Sequence, residues 1–314
     1  MINTENLTKD FGGGRGVFNL SLSVPEGSIY GFIGPNGAGK TTTIKCLCGL
    51  MKPKSGKAYI NNLEVIPRNL TEIKKTIGYM PDKYGVYEQM SVWEYLDFFC
   101  AAFRIPAKKR RQHIEYALKL TNGEYMLDYR MGSLSHGMGK RISLARTLLH
   151  DPAVIIMDEP ANGLDPHGRI EMRRMIQELR KNGKTILLSS HILPELSSVC
   201  DQIGIVEKGK LLAQGSIEEI MKGVKEQLIL SIMVDSDVKK ATEICSSFPN
   251  VQQATPGGNE VRVVFSGTRD KVADLNVKLV NEKVRVISIK EEEADLEEAF
   301  LKVTGQSQNG QGKK

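Results

Sequence analysis

The sequence has no apolar run long enough to cross a membrane. A transmembrane helix needs about 20 consecutive apolar residues, whereas the longest apolar runs here, such as residues 153–157, have the length of a buried strand. The amino terminus also lacks the basic and apolar pattern of a secretory signal peptide. We therefore expect a chain that does not itself span a membrane.

Cysteine and aromatic residues are scarce, and neither charge sign dominates. The five cysteines are odd in number and form no C-x-x-C pair. Cys46 and Cys48 lie two apart on a predicted helix and so point in different directions. We expect core thiols of a reducing cytosol rather than disulfides or a metal site. The net charge of +6 is modest for 314 residues, so nucleic acid is not an expected partner.

The most informative stretch is GPNGAGKTT, residues 34–42, which fits the pattern G-x-x-x-x-G-K-[ST]. Residues 28–33 before it predict a buried strand, and residues 40–50 predict a helix, which is the context that the motif requires. Glycines let backbone N–H groups approach an anion. Lys40 would reach the β- and γ-phosphates and Thr41 would help hold Mg²⁺. The alternative is a glycine-rich turn with an incidental lysine. The predicted phosphate-binding residues are Gly34, Pro35, Asn36, Gly37, Ala38, Gly39, Lys40, Thr41 and Thr42.

Polar residues follow two predicted strands further along the chain. Residues 153–157 are continuously apolar, which is typical of a central parallel strand, and they are followed by Asp158 and Glu159. At such a strand end Asp158 could bind the Mg²⁺ of a nucleotide, and Glu159 could deprotonate an attacking water. His191 ends the strand predicted at 185–188 and could hydrogen-bond the γ-phosphate. Solvated strand ends and a structural histidine are the alternatives.

The remaining segments predict further parts of the architecture. Residues 84–131 read as helical, with Ser91 and Glu94 forming a capping box. The basic run at 108–111 suits a solvated helix face, although acidic lipids or a partner would also fit. Composition shifts near Gly223, after which the pattern is β-α-β-β-α-β with a terminal helix at 294–303. Phe11 is either core filler or a stacking platform for an adenine ring.

These motifs together resemble a known family. The P-loop, LSHGM at 134–138 with Lys140 and Arg141, DEP at 158–160, NGLD at 162–165 and His191 stand in the order of an ABC-type ATPase. The resemblance implies a P-loop NTPase (RecA-like) α/β core, with an antiparallel β subdomain and a helical subdomain at about 84–150, within residues 1–222. It leaves a small α+β domain at 223–304 and a disordered tail at 305–314.

The resemblance also implies functional residues. Phe11 would stack on the adenine, and Glu159 and His191 would act in hydrolysis with Lys40. Ser135, Gly137 and Asp165 would help to bind the ATP that a second subunit holds in its P-loop. His136 and Met138 depart from the usual signature LSGGQ. Asp82 stands where the family commonly has Gln, and still offers oxygen toward Mg²⁺ or water.

The expected protein is therefore an ATP- and Mg²⁺-dependent ATPase that closes head to tail with a copy of itself or a homologous subunit. It would drive an integral membrane permease from the cytoplasmic face of the cell membrane. An acidic residue at position 82 and a small C-terminal domain that ends in LEEAF at 296–300 resemble ABC-2-type exporter ATPases. The alternatives are a soluble ABC ATPase of translation or DNA repair, which usually has tandem halves or coiled-coil insertions, and a P-loop kinase, which would not need the signature helix.

Overall fold

A computed structural model describes residues 1–83, 85, 87–192, 198–220 and 228–292. The chain divides into two compact units, Met1–Ile217 and Glu218–Lys314. The predicted boundary near Gly223, the predicted helix at 294–303 and the predicted tail lie outside the described residues. No helix in the described ranges is long and apolar enough to cross a membrane.

The first unit is built on a six-stranded sheet. Its strands are β4 (Ile29–Ile33), β7 (Ile77–Met80), β8 (Val154–Asp158), β9 (Thr185–Ser190), β10 (Gln202–Glu207) and β11 (Lys210–Ser216). Their order is β11-β10-β4-β9-β8-β7, and all neighbours except β10 and β11 run parallel. Strands β4, β8 and β9 are buried along their whole length. The carboxyl ends of these three strands therefore meet at one edge of the sheet, where open α/β sheets bind ligands.

Helices accompany this sheet. They are α1 (Lys40–Leu47), α2 (Leu70–Thr76), α5 (His136–Leu148) and α6 (Pro166–Lys181). Helix α1 ends three residues before the predicted end. Gly49 has a left-handed φ of 67°, its N–H donates to the Cys46 carbonyl, and the Leu50 N–H donates to the Lys45 carbonyl. This pair of bonds is a Schellman cap, which ends a helix at a glycine.

An antiparallel sheet lies in the same unit. It contains β1 (Ile2–Asp10), β2 (Gly16–Leu20), β3 (Ser23–Val24), β5 (Ser55–Ile60) and β6 (Leu63–Glu64) in the order β2-β1-β5-β6, with β3 beside β1. The strand predicted at 18–24 is split in two. The Thr4 hydroxyl donates to the Leu20 carbonyl and accepts from the Leu22 N–H, so a side chain bridges the two pieces there.

Two further helices, α3 (Val92–Ala102) and α4 (Ala107–Leu120), precede α5 and form the predicted helical region with it. The predicted capping box at α3 is confirmed. The Glu94 N–H donates to Ser91 Oγ over 3.1 Å, and the Ser91 N–H donates to Glu94 Oε2 over 2.7 Å. Both bonds satisfy donors that a helix N-terminus leaves unpaired.

The second unit has its own sheet and core. Its elements are β12 (Leu228–Val234), α7 (Val238–Ser246), β13 (Val251–Gly257), β14 (Glu260–Phe265), α8 (Arg269–Asn281) and β15 (Val286–Glu292). This is the predicted β-α-β-β-α-β order. The antiparallel sheet is ordered β13-β14-β12-β15, and buried side chains such as Ile232, Val263 and Leu275 form its core.

The cysteines confirm the expectation of core thiols. All five are buried and none forms a disulfide. Burial raises the pKa of the Cys46, Cys100 and Cys245 thiols to about 11. At neutral pH these side chains are therefore uncharged and weakly reactive.

Candidate nucleotide-binding site

The P-loop joins β4 to α1 and requires glycine at specific positions. Gly39 caps α1 with a left-handed φ of 105°, and an added Cβ would lie 2.9 Å from Val17 Cγ2 and 3.0 Å from the Gly16 carbonyl oxygen. A Cβ at Gly34 would overlap the Val206 carbonyl oxygen. At position 39 only glycine fits both the left-handed φ and the close approach of Val17 and Gly16. The backbone can therefore wrap closely around an anion.

The loop opens onto a cleft of about 540 Å³. The cleft brings together many of the residues that the sequence predicts for a nucleotide site: Phe11, Asn36, Gly37, Ala38, Gly39, Lys40, Thr41, Thr42, Asp82, Glu159 and His191. Arg15, Gly16 and Asn162 also line it, and the sequence analysis gave none of them a role at the nucleotide. The adjacent strand ends explain this convergence, because β4, β9 and β8 are neighbours in the sheet.

Lys40, Glu159 and His191 form one continuous polar chain across the cleft. Lys40 is only 5% exposed, and its Nζ lies 3.2 Å from Glu159 Oε1. The same Nζ donates to the carbonyls of Gly34 and Pro35 over 2.6 and 3.2 Å. The other Glu159 oxygen, Oε2, lies 2.9 Å from His191 Nδ1. An ionised carboxylate can only accept, so this contact places a proton on Nδ1.

The backbone of Glu159 adopts an unusual conformation. Its φ is +50°, in the left-handed region that costs a residue with a side chain about 1–2 kcal/mol. The Glu159 N–H donates to Ser189 Oγ over 3.0 Å, and that hydroxyl donates to Asp158 Oδ1 over 2.7 Å. The Glu159 carbonyl accepts from Lys140 Nζ over 3.1 Å. These bonds hold the peptide groups on both sides of Glu159. Sequence reasoning missed Ser189, although its place at a strand end two residues before His191 was a usable signal.

The residues present fit a magnesium site completed by phosphates. Asp158 is 2% exposed at the end of β8, and the Thr41 side chain lines the cleft. Across the described residues there is no group of three or more His, Cys, Asp or Glu that could hold a metal on its own. Mg²⁺ usually takes one or two protein oxygens together with substrate phosphates and water. Asp158 and Thr41 supply that kind of oxygen.

Asp82 has a specific partner in the structure. Its Oδ1 lies 3.2 Å from Lys140 Nζ and accepts a hydrogen bond from Asn162 Nδ2, also over 3.2 Å. Lys140 is completely buried, so its charge needs a nearby counter-ion and full hydrogen bonding. One of the two Asp82 oxygens is therefore committed to Lys140, and the predicted contact with Mg²⁺ stays a prediction for this carboxylate.

Ser135, Gly137 and Asp165 lie around a different concavity of about 390 Å³, which shares no lining residue with the P-loop cleft. Ser135 caps α5 by accepting from the Met138 N–H over 3.3 Å. Asp165 caps α6 by accepting from the Gly168 N–H over 2.9 Å. Both side chains thus mark helix N-termini, where backbone N–H groups favour anions.

Phe11 is 49% exposed at the rim of the P-loop cleft. The ammonium of Lys9 lies 5.7 Å from its ring centroid, over the ring. Phe11 is therefore not core filler. Its ring can stack on a base or another flat group, and the stacking on adenine stays a prediction.

Comparison with known proteins gives matches to one family. The family model described as "ABC transporter" matches residues 17–162. The bacitracin transport ATP-binding protein BcrA of Bacillus licheniformis is 35% identical over 308 residues, which is 97% of each chain. The Nod factor export ATP-binding protein I of Ralstonia nicotianae is 30% identical and covers 97% of this chain and 94% of its own length.

A solved structure shows the same fold. The protein cbiO1 from Clostridium perfringens, described as part of the ABC transporter complex cbiONQ, superposes with a TM-score of 0.63 and 26% identity. The match covers 71% of this chain and 94% of that one.

Replacing Gly39 by alanine tests the geometry of the loop. Gly39→Ala should lose about 1–2 kcal/mol of unfolding free energy from its left-handed backbone and about 1–3 kcal/mol more from overlap with Val17. ATP affinity should fall with it. Gly37→Ala is the matched control, because Gly37 also has a positive φ of 82° but no atom within 4 Å of an added Cβ. Urea unfolding and equilibrium ATP binding measure both. Equal losses in the two variants would contradict the close packing at Gly39.

Proposed function

The chain belongs to the ATP-binding proteins of the ABC transporter family, and we propose that it hydrolyses ATP at the P-loop cleft to drive a separate membrane subunit of an exporter. The observation that carries this proposal is the Lys40–Glu159–His191 chain at the mouth of the P-loop. We assign the ATPase to residues 1–222 and an accessory role to residues 223–304. The export direction draws on relatives named for bacitracin transport and Nod factor export.

The arrangement supports in-line attack of water on the γ-phosphate. Backbone N–H groups of the P-loop and the Lys40 ammonium bind the phosphate oxygens and stabilise the charge that develops on them. The Glu159 carboxylate accepts the proton of the attacking water, and His191 keeps that carboxylate in place. The phosphate oxygens compete with Glu159 for the Lys40 ammonium. When they bind Lys40, the Glu159 carboxylate is free to act as base. Asp158 and Thr41 would hold Mg²⁺, which would further neutralise the charge on the phosphates.

The second concavity supports a dimer. Within one chain, Ser135 and Gly137 do not line the P-loop cleft. Their helix N-terminus is suited to an anion, and a head-to-tail pair of chains would bring it to the nucleotide of the partner. Each ATP would then lie between the P-loop of one chain and the α5 N-terminus of the other.

Glu159→Gln tests the assignment of the base. The amide keeps the shape of the side chain but removes its basicity, so the ATP turnover number should fall by about 10²- to 10⁴-fold. ATP binding should persist, because Lys40, Thr41 and Asp158 remain. Phosphate release and equilibrium binding of ATP measure the two effects.

Asp158→Asn is the matched control for the same strand end. It should weaken the Mg²⁺-dependent part of ATP binding as well as turnover, because the metal loses a charged ligand. Near-wild-type hydrolysis by Glu159→Gln would remove Glu159 as the base. Identical behaviour of the two variants would contradict the separate roles given to them.

Mixing two inactive variants tests the composite site. The Ser135→Arg chain should bind ATP but block closure of the dimer, while the Lys40→Ala chain loses the phosphate-binding ammonium of its own P-loop. A mixed dimer keeps one intact site, so equal mixing should restore up to about a quarter of wild-type hydrolysis if the two sites act independently. Ser133→Arg places the same side chain on a neighbouring exposed residue outside the concavity and should stay active. An absence of ATP hydrolysis at every mixing ratio would count against composite sites.

A groove of about 1000 Å³ supports docking of the membrane subunit. Its lining includes the aromatic residues Tyr79, Phe99 and Phe103 and the exposed lysines Lys74 and Lys109. An apolar segment with acidic flanks would satisfy both surfaces. Docking there would hold the protein at the cytoplasmic face of the membrane.

Charge reversal tests this docking face. Lys74→Glu with Lys109→Glu should reduce recovery of the co-expressed membrane subunit in affinity purification, while ATP hydrolysis by the isolated chain stays unchanged. Lys119→Glu, on the same helix α4 but outside the groove, should not reduce recovery. Undiminished recovery with the double variant would place the docking site elsewhere.

A further inference from the structure

We infer that Lys140 is a positioning residue of the ATPase site, which fixes the backbone of Glu159 and takes the Asp82 carboxylate as its counter-ion. Lys140 lies one turn inside α5, and it does not line the nucleotide cleft. The inference rests on the proposed hydrolysis of ATP at this site, and it assigns Asp82 to Lys140 rather than to Mg²⁺.

The burial of Lys140 is the first observation. Its side chain is 0% exposed, whereas lysine side chains are almost never fully buried without a partner. Its three ammonium protons meet three oxygens: the Asp82 carbonyl at 3.0 Å, Asp82 Oδ1 at 3.2 Å and the Glu159 carbonyl at 3.1 Å. This set matches the hydrogen-bonding capacity of the ammonium. A site that is so fully satisfied fixes the relative position of the groups it joins.

The second observation is the conformation that Lys140 holds. Glu159 has the strained φ of +50°, and such a conformation persists only when the surroundings over-determine it. Its N–H is held by Ser189, and its carbonyl accepts from both Lys140 Nζ and the Asn162 N–H. Rotation of either peptide group would swing the carboxylate away from Lys40 and His191. Lys140 therefore acts on catalysis through the direction of the Glu159 side chain.

The third observation connects this point to the start of α5. The His136 ring Nε2 lies 3.1 Å from the Asn162 carbonyl oxygen, and the Asn162 side chain donates to Asp82 Oδ1. Asp82 in turn contacts Lys140. His136 and Asp82, two of the three positions that depart from the usual family pattern, thus belong to one hydrogen-bonded line. A shift of α5 or of the segment at Asp82 would therefore change the hydrogen bond that Lys140 makes to the Glu159 carbonyl.

Lys140→Met is the test variant. Methionine has a similar length and suits a buried site, but it removes the charge and all three donors. The turnover number should fall by about 10²-fold, because a small misplacement of a catalytic group has that effect. The KM and the equilibrium dissociation constant for ATP should stay within roughly threefold, since no contact to nucleotide is removed. Lys184→Met is the matched control: Lys184 is 14% exposed and paired with Asp151 away from the cleft.

Asp82→Asn separates the two roles of that carboxylate. If Asp82 serves Lys140, the concentration of Mg²⁺ that half-saturates hydrolysis should stay within roughly threefold of wild type, whereas loss of a charged metal ligand would raise it at least about tenfold. The free energies of unfolding in urea of Lys140→Met, Asp82→Asn and the double variant measure the coupling between the two residues independently of hydrolysis. The two substitutions should be non-additive, because they remove the same interaction.

The outcomes distinguish this inference from the proposed function. If Lys140→Met hydrolyses ATP with the turnover number of the wild type, the positioning role is overturned and the proposed function still stands. An equal loss in Lys184→Met, or a fall in ATP affinity as large as the fall in turnover, would also overturn it. Additive unfolding energies or a tenfold shift in the Mg²⁺ requirement would reject the Lys140–Asp82 pairing. An absence of hydrolysis in the wild type would reject the proposed function, and the unfolding cycle would still decide the pairing.

Discussion

The constraint on which the site depends is the placement of Glu159 between two buried ammonium groups. Lys40 pairs with its carboxylate from the P-loop, and Lys140 binds its carbonyl from α5. Burying a charge is costly unless it is paired and hydrogen-bonded, so each lysine can occupy only the position where its acceptors converge. The two lysines therefore fix the ends of β4 and β8 relative to α5.

This arrangement links chemistry to regions outside the cleft. The line from His136 through Asn162 to Asp82 reaches the same Glu159 carbonyl that Lys140 holds. The ring of His136 also packs against Gly163, where an added Cβ would lie 2.8 Å from its Nε2. A side chain at position 163 would therefore require the His136 ring to move, so the glycine there leaves room for the ring in its observed place.

The sequence was sufficient where short-range patterns decide the structure. The P-loop context, the Ser91–Glu94 capping box and the element order of the second unit depend on local spacing, and all were predicted. The pairing of Lys140 with Asp82 joins residues 58 positions apart, and no local pattern indicates which acceptor a buried lysine will find. The left-handed φ of Glu159 was equally hidden, because glutamate has no preference for it. The short α2 and β6 were missed because their segments are too brief to show a period.

The most direct test of the account is ATP hydrolysis by the wild type beside Lys40→Ala, measured as steady-state phosphate release with Mg²⁺. If Lys40 binds the β- and γ-phosphates in the P-loop, the variant should show no turnover above background and a weakened affinity for ATP. Wild-type turnover in a folded Lys40→Ala chain would contradict the assignment of the P-loop cleft as the site of hydrolysis.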